Sequence, residues 1–312
     1  MTASPIEPAG TCPPARRRVR LRWGIVATLL PTLAFLAVFA FYPALSGPWH
    51  SLFDWRPGFD SPFVGFKNYA TVFSDVMFWR SFANLGVIFL VDITMKWLLP
   101  LIAAELLITV RSERARTVYR VLLLFPMAFP GVVTALVWSF LYNPNDGMIN
   151  RLLETIGLGE FAHNWVGDPN TALAALLFIG VPWVAGLPFL VFTTGLQNIP
   201  DEIFEAARLD GVGRIRRFFL IDVPLLASQL RLLLFLVMAG ILQFGMLAYL
   251  TTGGGPDGAT EVPVLQLIGQ AFQGQNWGYA AALSSILFVL GCGLSSFVLF
   301  LRRKGGEIDV QL

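Results

Sequence analysis

Few residues in this 312-residue sequence have types and spacings that could do chemistry. The paired aspartates, Ser–His combinations and HExxH helices that mark intramembrane hydrolysis are absent. His50 stands beside Trp49 and His163 beside Asn164, in predicted loops where a solvated or interfacial role outweighs metal binding. The glycine cluster "TTGGGPDGAT" at 251–260 lacks the GK[ST] ending of a phosphate cradle, so the chain is expected to bind no nucleotide and no cofactor of its own. Cys12 and Cys292 are spaced for neither a metal site nor a disulfide. Three charged features remain. Asp92 and Lys96 lie four apart with the acid first, so on a helix they share a face and form an intramembrane ion pair. Pro100, one turn further on, predicts a kink, and Glu105 beyond it has Arg111 and its neighbours as expected partners. The third feature is "FEAARLDGVGRIRRFFLIDVP" at 204–224, a compact charged segment between two apolar runs.

The elements that must position these residues follow from composition. Hydrophobic residues make up 55% of the chain and charged ones 13%, mean hydropathy is +0.66, and soluble domains carry about 25% charged residues. The chain reads as an all-α integral membrane protein. Six apolar runs, near 23–45, 85–110, 119–142, 171–195, 223–250 and 278–301, are long enough to cross the roughly 30 Å of a bilayer. The run from Trp23 to Leu45 exceeds a signal-peptide core and offers no small-residue cleavage site, so it reads as a retained helix. Residues 1–22 form a basic tail whose Pro, Ala and Arg content predicts disorder.

Lys and Arg cluster in alternate loops: five in the tail, then Arg111, Arg114, Arg116 and Arg120, then Arg208, Arg214, Arg216 and Arg217, then Arg302, Arg303 and Lys304. Positively charged loops stay in the cytoplasm, so both termini (1–22 and 302–312) and the 198–222 loop are predicted cytoplasmic, and 46–84 external. The loops are too short to be catalytic domains. The formal charge of +2 gives no reason to expect a nucleic-acid partner.

Local signals make the charged segment a helix-turn-helix knuckle. Pro200 and Asp201 open a helix over 201–209, acids fill its first turn, and Asp210-Gly211 stops it. Ile203, Phe204, Ala207 and Leu209 are assigned to one face. "RIRRFFLIDVP" then forms a second short helix leading into the fifth run. Such a knuckle suits docking to a protein through Glu205, Ala206 and Ala207, and it equally suits lying among lipid headgroups.

Glu205-Ala206-Ala207 with Asp210-Gly211, then Ile221 and Pro224, resembles the "EAA" loop of permease subunits of bacterial ABC importers. "FYPALSGPWHSLFDW" at 41–55, "FVGFKNYATVFSDVMFW" at 63–79, "GLQNIPDEIFEAARLDG" at 195–211, "LTTGGGPDGAT" at 250–260 and "GYAAALSSILF" at 278–288 resemble carbohydrate-uptake permeases of the maltose and glycerol-phosphate kind, in order and over nearly the whole chain. The GGGP element resembles the first of the two permease types in such systems.

The resemblance implies six transmembrane helices in the type I ABC importer permease fold, in a bacterial or archaeal cytoplasmic membrane. It implies a second homologous permease, two cytoplasmic ATPase subunits that use ATP and Mg, and an external solute-binding protein. Glu205 would then be the salt-bridging residue, Ala206 and Ala207 the packing floor, and Asp210-Gly211 the turn out of the ATPase cleft. The candidate solute path runs past Gln243, Met246 and Tyr249, with Trp138 and Asn143 nearby, although the family often has Asp at the position of Met246 and an aromatic at that of Gly245. Permeases for amino acids or polyol phosphates are alternatives within the class. A self-sufficient secondary carrier would show internal repeats, and none relates 23–142 to 171–301.

Overall fold

A computed structural model describes residues 23–181 and 186–305; the basic tail, Cys12 and the last seven residues lie outside them. Among the described residues the chain is helical, with one isolated bridge, Phe53 to Phe63. It divides into two units, 1–46 and 47–312. The first holds α1 (Trp23–Leu36), a π-turn over Ala37–Phe41 and the start of α2 (Tyr42–His50). From residue 28 on, its large apolar side chains, Phe35 and Phe39 among them, are exposed, as a helix bathed in lipid requires.

The second unit is built on one long helix. After α3 (Lys67–Ser74), α4 runs unbroken from Val76 to Ile108, 33 residues, or about 50 Å at 1.5 Å per residue. It begins ahead of the apolar run at 85 because Arg80 and Ser81 interrupt hydropathy without interrupting the backbone. Pro100 is buried inside it, and the α-helix continues on both sides.

The later runs are broken. α5 (Glu113–Leu124) and α6 (Gly131–Leu141) meet at 87° across a 3₁₀ turn containing Pro126, with Pro130 ahead of α6. A loop helix, α7 (Met148–Thr155), leads to α8 (Ala172–Phe178), and the fourth run resumes as α9 (Leu187–Gln197). The gap between them has positive φ at Gly180 and Gly186, which ends a helix. α10 (Asp201–Leu209), α11 (Arg214–Arg217) and α12 (Val223–Leu225) precede α13 (Ala227–Ile241), with a 68° bend at Leu226. α14 (Met246–Thr251) and α15 (Pro263–Ile268) then lead to α16 (Trp277–Gly305). Among the described residues three helices are long and apolar enough to cross a membrane, and the two bent pairs reach that length only in combination.

Side chains from α4 bind the rest together. Leu101, Ala104 and Leu107 pack with Phe189, Phe192 and Leu196 of α9 and with Leu226 and Leu233. Leu85 and Ile88 pack with Ala175, Leu176 and Ile241. At its start Asp75 performs two tasks. Oδ1 accepts from the Met77 amide at 2.8 Å, capping α4. Oδ2 accepts from Gln266 Nε2 at 3.0 Å and from the Tyr279 hydroxyl at 2.7 Å. Ser81 completes this buried network by donating to Gln266 Oε1 at 3.3 Å.

Removing Asp75 takes away the cap and leaves the buried Tyr279 hydroxyl without its acceptor, while Gln266 Nε2 keeps the Tyr279 oxygen at 2.9 Å, so Asp75→Ala is expected to destabilise the purified protein by about 2 kcal/mol. Asp75→Asn, which keeps an acceptor oxygen, is expected to lose less. Thermal melting in detergent distinguishes them; equal stability of Asp75→Ala and wild type contradicts the assignment.

Candidate functional site

The knuckle has the geometry its local signals predict. α10 spans Asp201–Leu209, with Asp201 and Glu202 in its first turn and Arg208 in its last, complementing the helix dipole. Gly211 adopts φ +70°, a conformation that costs a side-chain-bearing residue energy. There the Gly211 amide donates to the Arg208 carbonyl at 3.1 Å and the Val212 amide to that of Ala207 at 2.9 Å. Ala207 is buried, Ile203 and Phe204 are half-buried, and Glu205, Ala206 and Asp210 are exposed. Leu209 departs from expectation: it is 89% exposed. At 100° per residue it lies about 200° around the helix from Ala207, so apolarity alone placed it wrongly.

The knuckle is anchored by a buried cluster. Arg217, at the end of α11, donates through Nε to Asp222 Oδ2 at 2.9 Å and through Nη2 to Glu105 Oε2 at 3.0 Å. Its guanidinium also lies 5.0 Å from the centre of the Phe204 ring. Glu105 therefore pairs with Arg217 and not with Arg111. Arg111 follows α4 in the turn and lines a polar groove of about 750 Å³ with Arg116, Asp201, Arg208 and Arg214. Arg116 is held by Glu113 at 2.8 Å and by the Val110 carbonyl at 2.9 Å. Neither Arg217 nor Asp222 emerges from reading the loop alone, although Asp222 is a lone acid in the apolar string "FFLIDVP".

Asp92 and Lys96 form their ion pair, at 2.6 Å. Lys96 also lines an open cavity of about 600 Å³ with Gly131, Thr134, Gly180, Met246 and Leu247. Gly131, Gly180 and Met246 among them stand where the broken runs stop or resume. Of the five candidate path residues, Met246 lines this cavity, and Tyr249 follows one turn later on the same side of α14, 52% exposed. Gln243 is exposed and donates to the Ala239 carbonyl at 3.3 Å. Trp138 lies in a separate apolar pocket of about 530 Å³ with Tyr142, Trp165 and Phe178. Asn143 closes a turn, its Oδ1 accepting from the amides of Asn145 and Asp146 at 2.9 and 3.2 Å.

The glycine-rich loop after α14 is rigidly held. Asn84 of α4 donates to the carbonyls of Gly258 (3.2 Å) and Glu261 (2.9 Å). The buried Thr260 hydroxyl donates to the Gly255 carbonyl at 2.9 Å. Gly254 has φ +87°, and a Cβ there would collide with the Glu261 carboxylate. Among the described residues no group of His, Cys, Asp and Glu could hold a metal.

Membrane-length apolar helices, helix breaks gathered round a cavity and a charged knuckle define a membrane transport component. The family described as the binding-protein-dependent transport system inner membrane component matches residues 96–304, and the chain belongs to it. It is 35% identical over 278 residues (87% of this chain, 91% of the relative) to the sn-glycerol-3-phosphate transport system permease protein UgpA of Shigella flexneri. It is 30% identical over 288 residues (88% and 81%) to the diacetylchitobiose uptake system permease protein NgcF of Streptomyces coelicolor. In fold it matches a chain of a bacterial ABC transporter that imports the acidic polysaccharide alginate, with a TM-score of 0.79, 21% identity and coverage of 90% and 96%. The chain is thus a multi-pass membrane permease subunit with the type I ABC importer permease fold.

Burial raises the Glu261 carboxyl from its ordinary value of 4.5 to about 7. The folded state therefore holds this proton more tightly than the unfolded chain, and stability falls as pH rises from about 4.5 to about 7, then levels off. Glu261→Gln removes that slope. Melting curves are expected to show the variant more stable than wild type at pH 8 and the two converging near pH 4.5; parallel pH profiles contradict this.

Proposed function

We propose that this chain is one of two non-identical permeases in an ATP-driven importer of a sugar or sugar-like solute. An external binding protein delivers the solute, and two cytoplasmic ATPase subunits engage the knuckles of the permease pair. Both termini and the 198–222 segment lie in the cytoplasm, where Lys and Arg concentrate. ATP and Mg are used by the partner ATPase, and this chain binds neither.

The observation that carries the reading is the knuckle itself. α10 presents Glu205 and Ala206 outward, where a partner backbone can approach, while Ala207 and Phe204 fasten it inward and Gly211 turns the chain back. ATPase closure pulls on the knuckle, which turns the cavity outward; hydrolysis resets it. The solute class draws on the diacetylchitobiose for which one relative is named and on the cavity. Its one charged lining residue, Lys96, is already paired with Asp92, which suits a neutral solute better than a phosphate.

Glu205→Lys reverses the exposed charge, and Gly211→Pro demands a negative φ where the chain has +70°. In the reconstituted importer each is expected to lower ATPase stimulation by loaded binding protein at least about tenfold. Solute affinity, measured on the binding protein, is expected to stay as it was. Normal stimulation in both variants overturns the reading.

A further inference from the structure

Arg217 touches three parts of the protein at once: Phe204 of the knuckle, Asp222 at the entry to the fifth run, and Glu105 on α4, 112 residues away in sequence. All three charges are withdrawn from solvent, with side-chain exposures of 19% for Arg217, 13% for Glu105 and 0% for Asp222. The cluster is incompletely satisfied. Glu105 Oε1 and Asp222 Oδ1 are buried and receive no donor, the two carboxyls lie close enough to interact directly, and buried acceptors without a donor are rare enough to require an explanation. A guanidinium fork can grip one carboxylate with two parallel bonds. Rotation of Arg217 toward either acid fills one orphan and releases the other acid, so the cluster has two alternative arrangements. It is also placed where a change would travel. Asp222 ends a π-turn over Phe218–Asp222, four residues before the 68° bend at Leu226. Glu105 lies on the same unbroken helix as Lys96, nine residues or about 14 Å from a residue lining the cavity.

We propose that Glu105, Arg217 and Asp222 form the joint through which movement of the knuckle reaches α4 and the solute cavity, with Arg217 as a positioning residue for transport. The proposal rests on the reading of 198–222 as the ATPase-docking segment. It adds that docking is transmitted by an exchange of ion pairs at this joint and not by the knuckle's apolar packing alone.

The test uses the complete importer in proteoliposomes: this chain, its partner permease, the ATPase pair and the binding protein. Arg217→Lys keeps the charge and loses the fork; Glu105→Gln keeps the shape and loses the charge. Both variants are expected to co-purify with the ATPase, with solute transported per ATP falling about tenfold for Arg217→Lys and about threefold for Glu105→Gln. Assembled variants with the wild-type ratio overturn the proposal. So does loss of assembly or thermal stability with an unchanged ratio in the complex that remains, which makes the cluster only a brace. A wild-type complex that shows no stimulation by the binding protein overturns the permease reading and this proposal together.

Discussion

Placing a guanidinium and two carboxylates out of water costs several kcal/mol per ion unless each finds partners of good geometry. This chain does so where three of its segments meet, at Glu105, Arg217 and Asp222. The consequence is positional. An Arg held between acids on two different segments ties α4 to the entry to α13, and the Phe204 ring beside its guanidinium ties α10 to the same point. The knuckle is therefore not a loose loop. Its outward residues are presented by an electrostatic joint whose failure would leave an uncompensated buried charge.

The opposite end of α4 is held by a different chemistry with a similar result. Asp75 caps the helix and accepts from Gln266 and Tyr279, while Asn84 holds the glycine-rich loop by two carbonyls. One unbroken helix thus carries a polar lock at each end, with the Asp92–Lys96 pair and the cavity between them. Both locks therefore act on one continuous helix, Val76–Ile108. The broken helices complement this rigidity. Breaks leave backbone groups that hydrocarbon cannot satisfy, so in a membrane they must face protein or a polar cavity. Gly131, Gly180 and Met246 obey that rule by lining one cavity, as discontinuous helices do at transport sites in general.

What could be read from the sequence was whatever depends on neighbours in sequence. The limits of α10 follow from Pro200, Asp201 and Gly211, and the Asp92–Lys96 pair from helical spacing; each needs fewer than a dozen residues of context. The Arg217–Glu105 contact bridges 112 residues, and no local rule reaches that far. The breaks failed for another reason. Hydropathy sums composition over a window and is blind to backbone continuity, so 119–142 and 223–250 read as single runs even though Pro126, Pro130 and Gly245 stand inside them. Asn143, a candidate near the outer end of the third run, closes a turn with its Oδ1, a contact that the run's hydropathy does not show, since an Asn amide serves its own backbone as readily as a ligand. The family resemblance, carried by motifs spread over the chain, agrees with the matched family, whereas the residues of the knuckle taken alone suit a lipid surface and a protein partner equally.

The cavity's composition bears on where selectivity resides. Its lining offers a threonine, a lysine already committed to Asp92, two glycines and several apolar side chains. Strong discrimination between solutes needs several fixed donors and acceptors that a wrong solute would leave unpaired. This lining has few, and a passage that bound its cargo tightly would also release it slowly. Selectivity placed in a separate binding protein removes that conflict, because tight binding is then needed only at delivery, and the membrane path is free to be weak. Among the described residues the polar side chains that join distant segments at the two ends of α4 accordingly contrast with a cavity lining whose one charged group is already paired.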